Sequence, residues 1–371
     1  MPGSDLDRED LQLLRSVAHE AGQLALDYFK RTSVRVWDKS KNNPVTEADI
    51  AVNDLVRERL MTARPDYGWL SEETALDNRT RTASRVWVVD PIDGTRAFVK
   101  NEPYWCVGLG VLEKGAPRAA VVAAPVLGET YIAHRGGGAF LNGEPIKVTD
   151  FASIEGCRMI ASQGMINHPS WKDPWPDLEL SIPQPNATLI RMCWVAAGKY
   201  DAALTLWRKS DWDLAAGTLI VEEAGGIATT HLGETYSFNR GEPAQRSLLA
   251  AGKPLHSLLS ARVKGVRLPD PNWTVRPYEP TQTTERQSMS ETAGTKQLLH
   301  IVIGGELKDV TDVQFEDLSK IDFVGAFPDY KAAYDAWKGA AQRTVDNAET
   351  RYFILHAHKL LDPETGDHHH V

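Results

Sequence analysis

Between residues 9 and 30 the apolar positions Leu11, Leu14, Val17, Ala21, Leu24 and Tyr28 recur every three or four residues, the spacing of one buried helix face. After the polar stretch DKSKNNP, Thr46-Glu47-Ala48-Asp49 has the form of a helix start with Thr46 as N-cap, and Arg64-Pro65 ends that helix at Ala63. The apolar runs then shorten and predict strands over 68–71, 86–89, 106–113, 119–125 and 130–134, divided by the turn signals EKGAP and PVLGE. Asn142-Gly143 is the dipeptide of a tight hairpin. Gly136-Gly137-Gly138 lacks the strand-to-helix context of a phosphate loop and reads as a hairpin approach. An irregular stretch rich in Trp and Pro over 168–185 precedes predicted helices over 190–199 and from Asp211 to Glu223, the second stopped by Gly225-Gly226.

The pattern changes beyond Leu268. Residues 269–296 are rich in Pro, Thr, Ser and Glu without apolar periodicity, which predicts a flexible linker. Strands over 298–303, 321–327 and 352–360 and a helix over 329–347 capped by Asp329 then predict a separate small α+β module. The expected organisation is a mixed α/β (α+β) domain over 1–268, the linker, and a module over 297–371.

Composition narrows the function. With 371 residues, 42% hydrophobic and 25% charged, the chain is long enough for two or three domains with a sizeable core. A net charge of −9 argues against a nucleic-acid polymer as partner, leaves room for a local basic pocket, and fits a metal site. Cys106, Cys157 and Cys193 are odd in number and lack CxxC spacing, so they read as buried thiols. The acidic start MPGSDLDRED is unlike a secretory leader, and no run of 18 apolar residues occurs, so the expectation is a cytoplasmic protein without membrane contact.

The chemistry concentrates in WVVDPIDGT, residues 87–95, where an apolar strand ends in Asp90 and Asp93. Two carboxylates brought together repel, so one takes up a proton unless a cation or donors compensate. Pro91 is expected to break the strand and turn both carboxylates toward one spot, leaving the Ile92 carbonyl free to coordinate. Mg²⁺ takes such oxygen ligands, Gly94 permits close backbone approach, and a helix beginning at Thr95 would aim its amides at a phosphate. Other acids begin or end elements: Glu72-Glu73 in LSEE, Asp213 in SDWDLAAG, and Asp49. Taken singly, these also fit a solvated loop, a carboxylate complementing a helix dipole, and the last member of a capping box.

Taken together, WVVDPIDGTRAF, NNPVTEAD, LSEE and WDLAAGTLIVEEAGG closely resemble the inositol monophosphatase superfamily, the lithium-sensitive Mg²⁺-dependent phosphatases, over residues 9–265. The resemblance implies a layered αβαβα sandwich and two or three Mg²⁺ ions held by Glu72, Asp90, the Ile92 carbonyl, Asp93 and Asp213. It further implies that Thr95 and Asp49 hold the attacking water, with Glu72 also among the catalytic groups, and that the Gly94 and Thr95 amides grip the phosphate. The substrate implied is a small phosphorylated metabolite, with Asp93 and Asp213 also facing it.

The motifs resemble the 3'(2'),5'-bisphosphate nucleotidase branch as well as inositol and histidinol phosphatases. Where inositol enzymes commonly carry Gly-Ser-Ala-Ala, this chain reads Asn186-Ala187-Thr188-Leu189. Arg208 and Lys209, just before SDWD, suit a second phosphate, as on adenosine 3',5'-bisphosphate, and also fit a solvated turn. A bisphosphate nucleotidase is therefore the first expectation, inositol monophosphatase and histidinol phosphatase the alternatives, and a non-catalytic phosphate- or metal-sensing protein the alternative class.

Residues 297–371 resemble a small alphaproteobacterial domain of unknown function, for which contact with a protein partner or regulation is expected. Tyr334 and Trp337 read as packing residues, His300, His356 and His358 as exposed strand positions or metal ligands, and His368 to His370 as a terminal tail. Superfamily members often form dimers, which makes a homodimer an expectation.

Overall fold

The computed structural model describes residues 4–31, 34–40, 43–74, 80, 82–169, 171–182, 184–240, 242–268, 300–306, 315–317, 320–327, 333, 336 and 350–355. The chain divides into two compact units, Met1–Pro277 and Tyr278–Val371.

In the first unit, helices α1 (Asp5–Phe29) and α2 (Glu47–Ala63) flank a small hairpin, β1 (Val36–Ser40) and β2 (Asn43–Thr46). β3 (Gly68–Ser71), β4 (Arg85–Asp93), β5 (Cys106–Glu113), β6 (Ala116–Ala124), β7 (Glu129–His134), β8 (Ala139–Leu141) and β9 (Glu144–Pro145) form a seven-stranded sheet in that order. The short helix α3 (Thr95–Val99) follows β4. A second sheet has β10 (Arg158–Ile160), β11 (Glu179–Leu180), β12 (Ala202–Thr205), β14 (Gly226–Thr229) and β16 (Leu248–Gly252) in the order β11-β10-β12-β16-β14. β13 (Lys209–Ser210) pairs with β15 (Ala244–Gln245), and α4 (Gln163–Ile166), α5 (Thr188–Ala196), α6 (Asp211–Glu223) and α7 (Lys253–Val263) complete the unit.

Period-two side chains on β4 explain the layering. Trp87 and Val89 face Leu14, Val17, Val52 and Leu60 of the first two helices. Val86 and Val88 face the opposite way, onto Leu189 and Met192 of α5 and Leu214 and Leu219 of α6, which also pack on Ala203 and Ala250 of the second sheet. The far side of that sheet packs Leu204 and Leu249 against Leu255, Leu259 and Val263 of α7. The order is helix, sheet, helix, sheet, helix, the αβαβα sandwich.

Several boundaries differ from expectation. α1 begins four residues before residue 9, because Ser4 and Asp7 cap one another, with Asp7 N donating to Ser4 Oγ at 3.2 Å and Ser4 N to Asp7 Oδ2 at 2.9 Å. Asp7 and Asp10, invisible to an apolar stripe, are buried on Arg85 at 2.8 Å each, and Arg118 reaches Asp7 at 2.7 Å.

Pro91 does not break β4. Asp90 pairs with Gly108 and Asp93 with Cys106, so three steps on β4 oppose two on β5, and Pro91 sits in the resulting bulge. α5 starts at Thr188, ahead of residue 190, and ends at Ala196, short of residue 199. Asn142 (φ 52°) and Gly143 (φ 92°) form the expected hairpin turn between β8 and β9. In the glycine run, Gly136 N and Gly138 N donate to the Glu223 carboxylate.

In the second unit, β17 (His300–Glu306) is flanked by β18 (Asp322–Phe327) and β19 (Thr350–Leu355) in an antiparallel sheet, and Ala333 and Ala336 are helical. The linker over 269–296, the other residues of the helix expected over 329–347, residues 356–360 of the last strand and His368 to His370 lie outside the described residues.

Candidate metal centre and substrate pocket

Asp90 is buried with both carboxylate oxygens unpartnered. An ionised carboxylate in that position is costly unless a cation accompanies it. The bulge turns Asp93 to the same spot, and Asp213, half-buried in the first turn of α6, completes a group whose oxygen atoms lie within 4.8 Å of one another. Asp213 also accepts from Ser210 N at 2.7 Å, so a capping carboxylate and a candidate ligand are the same residue.

Asp93 serves two ends of the chain. Its Oδ1 accepts from Thr188 N at 3.1 Å and its Oδ2 from Leu189 N at 2.5 Å, the free amides that open α5. The N-cap residue Ala187 supplies no side-chain bond, so this long-range cap explains why α5 begins earlier than the local sequence indicates. Cys106 Sγ lies 3.9 Å from Asp93 Oδ2.

The carboxyl groups respond to this crowding. Burial raises Asp90 well above the usual carboxylate range, reinforced by the charges of Glu72, Asp93, Asp213 and Asp49. Burial and then the Asp213 charge push Asp93 up to about 7, against the Leu189 amide, Lys209 and the Thr188 amide. Burial also raises Asp213, opposed by Lys209 and Ser210 N. Glu72 is outside the group of three, yet its amide donates to Val89 O at 3.3 Å, which sets it beside β4.

The structure brings Asp49 and Thr95 within hydrogen-bond distance of one another. Asp49 Oδ2 accepts from Thr46 N at 2.8 Å and Thr46 Oγ1 at 2.6 Å, closing the cap of α2, while Oδ1 faces Thr95 Oγ1 at 3.3 Å. Thr95 Oγ1 also lies 3.1 Å from Ile92 O, so that carbonyl is not free as expected but keeps a second lone pair. Gly94 has φ +96°, and a Cβ there would meet Tyr104 O at 2.8 Å, so the turn joining β4 to α3 requires glycine.

Arg208 and Lys209 part company. Lys209 Nζ donates to Thr188 Oγ1 at 2.7 Å and its charge acts on Asp93 and Asp213, whereas Arg208 pairs with Glu242 on the exposed surface at 2.7 Å. Lys209 also lines a cavity of about 530 Å³ with Arg96, Arg191, Asn186, Met165 and Trp207 among its walls. That is the size of a small-molecule site. Among the described residues no Asp or Glu lines it. Sequence reasoning missed Arg191 and Trp207; the sequence signal for the first was a single charge in the apolar stretch TLIRMCWVA, whereas the 63% exposure that marks Trp207 shows only in the structure.

Fold and acidic cluster together define a phosphoric monoester hydrolase built on this sandwich. The chain belongs to the inositol monophosphatase family, whose sequence profile matches residues 7–267. A second profile, for a domain of unknown function (DUF4170), matches residues 298–357. The chain is 37% identical to a histidinol-phosphatase of Chlorobaculum parvum over 233 residues, covering 60% of this chain and 86% of that protein. It is 33% identical to a fructose-1,6-bisphosphatase/inositol-1-monophosphatase of Thermotoga maritima, covering 62% of this chain and 87% of that one. The solved IMPase of Thermotoga maritima superposes with a TM-score of 0.58 at 29% identity, covering 69% of this chain and 96% of its own. Among the described residues no helix is long and apolar enough to cross a membrane.

Proposed function

We propose that this chain is a Mg²⁺-dependent phosphatase acting on a small metabolite that carries a second phosphate, adenosine 3',5'-bisphosphate being the substrate of choice. The observation that carries this reading is the juxtaposition of an acidic cluster, in which both oxygens of the buried Asp90 are unpartnered, with a cavity lined by Arg96, Arg191 and Lys209 and, among the described residues, by no carboxylate. One side calls for a cation and the other for an anion. Trp207, 63% exposed, offers a planar face on which a nucleobase stacks.

Asp90, Asp93, Asp213, Glu72 and the Ile92 carbonyl suit a hard cation, and the orphaned oxygens of Asp90 are the test of that fit. Bound there, Mg²⁺ supplies an easier proton loss from water and offsets charge on the phosphoryl oxygens. The chain's own groups do the rest. Asp49, held by Thr46 through Oδ2, keeps Oδ1 for Thr95, and Thr95 Oγ1 orients the attacking water on the cluster side of the phosphate. The Gly94 and Thr95 amides, at the open end of α3, receive phosphate oxygens, and Lys209 adds charge beside Asp213.

Histidinol phosphate is the second reading, favoured by the names of relatives 37% and 34% identical to this chain. Its ammonium group, however, would enter a cavity lined by cations. Initial rates of Mg²⁺-dependent phosphate release from adenosine 3',5'-bisphosphate, inositol 1-phosphate and histidinol phosphate decide between them. The bisphosphate is expected to lead in kcat/KM by about tenfold or more, the worth of one well-placed charge contact. A lead for histidinol phosphate overturns the substrate assignment, and rates at the blank for all three return the chain to a phosphate- or metal-sensing role.

A further inference from the structure

Arg191 is the one charged residue of α5, and most of its neighbours on that helix are buried. Its Nε donates to Pro185 O at 2.6 Å, and among the described residues it has no other hydrogen bond. Among the described residues no carboxylate lies within 4.0 Å of its guanidinium, in contrast to Arg85, Arg118 and Arg158, each paired with a buried aspartate. Burial lowers the pKa of Arg191 from the ordinary arginine value, with the Asp93 charge opposing the shift. A guanidinium has five N–H donors, and among the described residues a single one is used. Half-buried in the cavity wall, such a cation is only partly hydrated and gains from an anionic partner placed in that cavity. Asp90 calls for a cation and Arg191 for an anion. Both belong to the same region, because Arg191 follows Thr188 and Leu189, whose amides hold Asp93, and its side chain lines the cavity that Lys209 also lines.

We infer that Arg191 is the specificity residue that receives the second phosphate of the substrate. This role rests on the bisphosphate reading above and displaces Arg208, whose guanidinium is engaged by Glu242 at the exposed surface. Lys209 is committed to Thr188 Oγ1 and to the field of Asp93 and Asp213, so it serves the reacting end. Arg191 retains both terminal nitrogens, the planar fork that matches two phosphate oxygens, and a lysine at this position would keep the charge but lose that match. The inference also explains why an arginine stands in an otherwise apolar helix.

The test is a ratio. kcat/KM is measured with Mg²⁺ for adenosine 3',5'-bisphosphate and adenosine 3'-monophosphate in the wild type, Arg191→Met and Arg191→Lys. Arg191→Met is expected to lose about 30-fold more on the bisphosphate than on the monophosphate, and Arg191→Lys to recover part of that preference. Inhibition by adenosine 5'-monophosphate, which keeps the second phosphate and lacks the scissile one, is expected to weaken in parallel. Equal losses on the two substrates in a variant that keeps the wild-type melting curve overturn the role, and so does undiminished inhibition of Arg191→Lys by the 5'-monophosphate, the Lys variant serving as the test where Arg191→Met does not fold. A wild type with no preference for the bisphosphate sinks the substrate reading and this role together. A wild-type preference that survives in Arg191→Met sinks the role alone.

Discussion

Asp93 shows at residue scale how cation and proton compete for one site. Its pKa is pushed up to about 7 from 3.8, so the folded chain holds this proton better than the unfolded chain does. The stability so contributed is complete below the unfolded pKa and is lost as pH rises through about 7, where the metal-free cluster becomes ionised and repels itself. Asp90 and Asp213 are shifted in the same direction. Added Mg²⁺ is therefore expected to raise the melting temperature more at about pH 8 than at about pH 5.5, where protons occupy the site. Thermal melts with and without chelator at the two pH values check this, and an equal gain at both would count against the cluster as the metal site. Much of this was legible beforehand, because two aspartates ending an apolar strand are conspicuous. Arg191 was not, since its significance lies in what is missing around it, and only packing reveals a missing counter-ion.

At the scale of elements, the turn from β4 to α3 carries the site. Gly94→Ala is expected to cost about 1–3 kcal/mol through positive φ and the clash with Tyr104 O. It should also reduce turnover more steeply than stability, since the displaced backbone bears the phosphate-facing amides; denaturant midpoints and kcat from one preparation measure both. Thr46→Ala removes the cap of α2, worth about 1 kcal/mol, and frees Asp49 to rotate away from Thr95. A fall in kcat with little change in KM is the expected signature.

Element cores were readable from the apolar period in α1 and from apolar runs between turn signals in β3 and β5. Ends were readable only where the stop signal is local. β4 runs past Pro91 because a bulge against β5 absorbs a residue without its own ladder N–H, and α5 starts early because Asp93, almost a hundred positions upstream, caps it. Neither cause lies within a window around the boundary.

At the scale of the molecule, three apolar clusters and two sheets hold the site within one unit, Met1–Pro277. The four acidic motifs, scattered over more than 160 residues, revealed the layered fold through family resemblance, whereas the order of the strands within each sheet was not written in any period. The site groups named here, from Asp49 to Asp213, all fall in that first unit. A chain ending at Pro277 is therefore expected to fold and to match the full chain in kcat/KM, with residues 278–371 serving contact or regulation. A folded but inactive truncation would mean that the second unit completes the site.

The most direct test of the central claim is Mg²⁺-dependent phosphate release by Asp90→Asn beside the wild type, with a melting curve for each. Asn keeps the shape and removes the buried charge that calls for the ion. The account predicts release at background for Asp90→Asn with cooperative unfolding intact. Retained Mg²⁺-dependent turnover in that variant would contradict it.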